Sequence, residues 1–75
     1  MLNNLQQILV RWAFDRSNGR QQDTFIELYR SLLPTNPDLA RRAFAIAKSL
    51  SVKYDSPGAR IFYKREKQFW LSLLR

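Results

Sequence analysis

Interruptions at Gly19, Pro34 and Pro57 cut this chain into four stretches, and within each stretch large apolar residues return every three or four positions. That spacing fits the 3.6-residue turn of a helix, and strand-like alternation is missing. With breaks this frequent no helix can run far. The expected architecture is therefore all-α, a compact single-domain bundle of about four short helices over residues 1–75. The predicted helices cover about 4–16, 20–33, 37–54 and 57–74.

The breaks carry the chemistry that helix ends require. Asn3 or Asn4 is placed to cap the first helix, and Ser17-Asn18-Gly19 to end it, with Gly suited to a left-handed turn. Pro34 closes the second helix by restraining the residue before it. Asn36-Pro37 and Ser56-Pro57 each pair a capping side chain with a proline at the first helical position. In the first helix Leu5, Ile8, Leu9 and Trp12 form the expected buried stripe. In the second, Phe25, Leu28, Tyr29, Leu32 and Leu33 take that role. Leu39, Ala43, Ile46, Ala47, Leu50 and Tyr54 line the third, and Phe62, Phe69, Trp70 and Leu73 the fourth. Val10 and Phe14 fall outside the first stripe, so they are expected on the surface as part of a protein interface.

Charge is the second strong constraint. Thirteen Lys and Arg face six Asp and Glu, a net charge of +7 in 75 residues, which points to a polyanionic partner and first of all to nucleic acid. Apolar residues make up 45% of the chain, too many for a disordered basic tail. Cysteine and histidine are absent, which removes disulfides, thiolate nucleophiles and the commonest general base and metal ligand. Asp23 and Glu27 are the only carboxylate pair at i,i+4, a spacing that most often marks a solvated helix face. No catalytic residues, metal site, cofactor or small-molecule substrate are therefore expected. No apolar run reaches the length of a bilayer span and no secretory leader is visible, so the expected location is the cytoplasm.

The cations are not scattered at random. Arg60, Lys64, Lys67 and Arg75 fall within about a quarter turn of one another on the last helix. Such a row matches the recurring phosphates of a nucleic-acid backbone, and each neutralised phosphate releases counterions. Gln68 sits beside the row, and Leu71 lies within it as an apolar contact for a protein neighbour. Arg41 and Lys48 form a second set on the third helix, with Phe44 between them as a platform on which an unpaired base can stack. Arg42 and Lys53 lie on another flank, available to carboxylates of neighbouring helices.

Two likenesses follow from these residues. Leu28-Tyr29-Arg30 is similar to the tripeptide of the mitochondrial LYR-motif proteins, but there the pattern usually lies in the first helix. Here Leu28 and Tyr29 are already accounted for by the core stripe, and the match is taken as chance. In size, charge and helical character the chain resembles small helical subunits of RNA-guided complexes, including those of CRISPR effectors. That resemblance implies backbone holding without catalysis, by a chain that also packs against other protein subunits. The expected function is thus non-enzymatic binding of a DNA or RNA backbone within a larger assembly. The alternative is a helical adaptor or regulator for an acidic protein. A membrane-surface role is weaker, because the aromatic residues are needed for the core.

Overall fold

A computed structural model describes residues 2–52 and 56–74; Lys53, Tyr54 and Arg75, which entered the expectations above, lie outside them. Four α-helices follow one another: α1 (Asn4–Ala13), α2 (Gln21–Leu32), α3 (Pro37–Ser51) and α4 (Pro57–Ser72), with a single 3-10 turn at Arg16–Asn18. The fold is all-α, as the periodicity predicts.

The helix ends are built as local chemistry dictates. Asn3 accepts a hydrogen bond from the Gln6 backbone N–H at 2.8 Å, while the Gln6 side chain accepts from the Asn3 N–H at 3.0 Å, a reciprocal capping box. Asn36 accepts from the Leu39 N–H and Ser56 from the Ala59 N–H, each at 3.2 Å, directly ahead of a proline at the first helical position. α1 stops at Ala13, three residues short of the expected end. Asp15 there leaves the helical conformation and turns its carboxylate onto the Ser17 N–H and hydroxyl, at 3.0 and 2.8 Å. Gly19 then turns with φ of 70°, a left-handed conformation that a side chain would strain.

The core corrects the reading of α1. Leu5 and Trp12 are more than half exposed, at 58% and 59%, and Ile8 is 43% exposed, whereas Val10 and Phe14 are buried. The helix carries two apolar stripes, and the inward one runs through Leu2, Leu9, Val10, Ala13 and Phe14. Aromatic packing accounts for the choice. Phe14 sits 5.0 Å from the Phe25 ring edge to face and 5.5 Å from the Tyr63 ring, a position that Trp12 on the other flank cannot reach. Gln6 is also on the inward side, and burial does not leave it unsatisfied. Its amide donates to the Ser31 carbonyl and hydroxyl at 3.3 and 3.2 Å while its oxygen closes the cap. Val10 and Phe14 therefore belong to the core and form no interface.

Elsewhere the expected core holds except at Leu33, which caps the end of α2 and is 45% exposed. Phe25, Leu28, Leu32 and Ile46 are buried, with Tyr29, Leu50, Phe62, Phe69 and Leu73 packed against them. Ala40, Ala43 and Ala47 present a small-residue face of α3 and are fully or nearly fully buried, which lets α2 approach closely. Tyr63 and Trp70 supply the buried aromatic mass of α4. No described helix is long and apolar enough to cross a membrane.

Candidate nucleic-acid interface

α4 owes its two-sided character to one carboxylate. Its inner face consists of Phe62, Tyr63, Glu66, Phe69, Trp70, Leu73 and Leu74, buried or half-buried. Glu66 belongs to this face although it is charged, because Arg42 of α3 grips it as a fork. Arg42 Nε donates to Oε1 at 3.2 Å and Nη2 donates to Oε2 at 2.8 Å. Trp70 Nε1 adds a third donor to Oε1 at 3.3 Å, and the guanidinium lies 3.6 Å above the Phe69 ring. The carboxylate is thus fully engaged inside the protein, in the bidentate geometry that favours Arg over Lys.

The charged residues left on the outward face of α4 are all cations, with the exposed Ile61 among them. Arg60, Lys64 and Arg65 are exposed, Lys67 is partly buried at the edge, and Gln68 and Leu71 are exposed among them. On a helix of 100° per residue, the exposed arc from Arg60 through Lys64 and Gln68 to Arg65 spans about 140°. None of these four cations has a carboxylate partner among the described residues, whose ion pairs are Arg41–Asp38 and Arg42–Glu66. Arg65 was not among the residues expected here, because it lies outside the quarter turn that holds Arg60, Lys64 and Lys67. A criterion based on absence of an acidic neighbour on the same face would have found it. Arg75 lies outside the described residues.

The α3 set forms a separate patch. Arg41, Phe44 and Lys48 share one exposed face, as their spacing predicts. Phe44 is 42% exposed, with its ring resting on Tyr29 of α2 at 5.0 Å and a tilt of 45°. The ring is therefore supported from below and open above. Arg41 pairs with Asp38 at 3.1 Å, but both side chains are largely in solvent, so the pair is easily exchanged for a phosphate. Arg42, which meets α4, lies about 100–160° around α3 from Arg41, Lys48 and Phe44. The two cationic sets consequently occupy different flanks and do not merge into one continuous groove.

Among the described residues Asp15 is the one carboxyl held below its ordinary value of 3.8, mainly by the Ser17 hydroxyl and then by the Ser17 N–H. It stabilises the turn after α1. Comparison of the chain with models of known families, with curated proteins and with solved structures gives no match. Its function is therefore argued from these residues alone.

Proposed function

We propose that this chain is a non-enzymatic protein of the cytoplasm that binds the backbone of a nucleic acid through the outward face of α4, as a subunit of a larger assembly. The observation that carries the reading is the disposal of Glu66. The one carboxylate of the helix is turned inward and saturated by Arg42 and Trp70, so Arg60, Lys64, Arg65 and Lys67 face solvent without a counter-charge on their own helix. A solubilising surface has no need of that segregation, since mixed charges dissolve a protein equally well. A row of unpaired cations, with Gln68 among them as a hydrogen-bonding side chain, is suited to successive phosphates. Arg41 and Lys48 provide a second, smaller contact, with Phe44 as a stacking platform for single strands.

A titration against duplex DNA, single strands and structured RNA at several salt concentrations tests this. Four phosphate contacts give a slope of log K against log salt of about −3.6 on duplex and about −2.8 on single strands. Reversing Lys64 and Lys67 to Glu should lower both the affinity and the slope. If that double variant binds nucleic acid as the wild type does, and instead loses an acidic protein partner, the adaptor reading replaces this one.

A further inference from the structure

The apolar ridge of α1 stands largely uncovered among the described residues. Leu5, Ile8 and Trp12 recur at i, i+3 and i+7 along one line of the helix, and all three are substantially exposed. Trp12 also borders a groove of about 710 Å³ against α2, where Asp23, Glu27 and Arg30 line the opposite wall. An exposed tryptophan flanked by aliphatic residues is the kind of anchor on which protein interfaces depend.

We infer that this α1–α2 face is a two-fold interface between two copies of the chain. The distribution of charge selects the occupant. Residues 4–33 contain four Arg against three carboxylates, whereas residues 37–75 contain nine Lys and Arg against three. The α1–α2 half is nearly neutral, and a second copy can approach it without the repulsion that the rest of the surface would impose. An acidic protein would be drawn to the other half.

The register supports a self-complementary pairing. Gln6 meets Ser31 and Phe14 meets Phe25, so α1 and α2 run antiparallel, with Ile8 at about the level of Tyr29. A two-fold axis between Ile8 and Leu9 lays Leu5 against the partner's Trp12 and the reverse. The same axis sets Glu27 opposite the partner's Arg30, twice, and neither residue has an ion-pair partner among the described residues. The two hairpins then stack as a four-helix layer, with α1 on α1 and α2 on α2. The molecule measures 32 × 21 × 20 Å, so two such faces bury roughly 1,200 Å², the lower end of stable association. This inference does not depend on nucleic-acid binding by α4.

Sedimentation equilibrium of the purified chain from micromolar to near-millimolar concentration tests it. A monomer–dimer equilibrium is expected. Trp12→Glu should raise the dissociation constant by about 30-fold or more while leaving helicity and melting of the monomer unchanged. Glu27→Arg and Arg30→Glu should each weaken the dimer, and both changes in one chain should restore it, because a two-fold contact exchanges the two charges. A wild type that stays monomeric throughout overturns the inference. So does a Trp12→Glu chain that dimerises as well as the wild type, or a double charge exchange no better than the single ones.

Discussion

Replacing Arg42 by Ala is the most direct perturbation of the junction between α3 and α4. Glu66 would keep one donor, Trp70 Nε1 at 3.3 Å, and lose two guanidinium bonds at 2.8 and 3.2 Å. Removing one partner from a fully buried ion pair costs about 3–5 kcal/mol. Here the Arg42 side chain is 44% exposed, so water enters along the path it vacates and solvates part of the carboxylate. That lowers the figure, while loss of the guanidinium from the Phe69 ring adds about 0.5–1 kcal/mol. The expected total is about 2–3 kcal/mol. In a domain of this size each kcal/mol shifts the melting temperature by about 4–8 °C, so Tm should fall by about 10–20 °C. Differential scanning calorimetry and urea unfolding followed by circular dichroism measure it. Arg42→Met combined with Glu66→Leu should recover only part of the loss: no charge is stranded, but the buried Trp70 Nε1–H is left without its acceptor. If Arg42→Ala costs less than about 0.5 kcal/mol, the fork does not hold α4 in place and the argument from Glu66 disposal loses its basis.

Phe14→Ala should destabilise the protein by about 3–5 kcal/mol, whereas Trp12→Ala in the monomer should change stability by less than about 1 kcal/mol; the opposite order would return the outer stripe of α1 to the core. Phe44→Ala should weaken single-strand binding by about 1–3 kcal/mol in a fluorescence titration and leave duplex binding unchanged, and equal losses on both substrates would remove the stacking role. Asp15, with its folded pKa below the unfolded value, stabilises the turn above its unfolded pKa, and this contribution is lost as pH falls through the lower, folded one. An NMR titration should find the Asp15 carboxyl ionising below 3.8, and Ser17→Ala should bring it back toward that value.

What the sequence discloses is what short-range chemistry decides. The caps at Asn36 and Ser56, the left-handed Gly19 and the periodic stripes of α2 and α3 are all set within a few residues, and each was readable. The inner side of α1 was not, because the helix has two apolar stripes and the three- and four-residue steps of Leu5, Ile8, Leu9 and Trp12 point to the outer one. The choice depends on Phe25 and Tyr63 receiving Phe14, and on Ser31 receiving Gln6, contacts that span 11 to 49 positions of the chain. The cationic row of α4 was legible, yet the reason for its purity was not. Glu66 and Trp70 are four apart and could be paired by eye, but the Arg42 that completes them lies 24 positions earlier.

The way α4 is attached also determines how the protein comes apart. α2 packs along α1 and α3 over most of its length, while α4 reaches its neighbours through few points, chiefly Tyr63, Trp70 and the Arg42–Glu66 fork. Three helices thus form one cooperative block and the fourth a second, weaker one. Amides of α4 should exchange with deuterium at lower opening free energy than those of α2 and α3. Each such opening releases Glu66 beside Lys64, Arg65 and Lys67 and cancels part of their field. The charge pattern of the basic helix is therefore a property of its docked state, and anything that loosens the fork also weakens the positive field of its outward face.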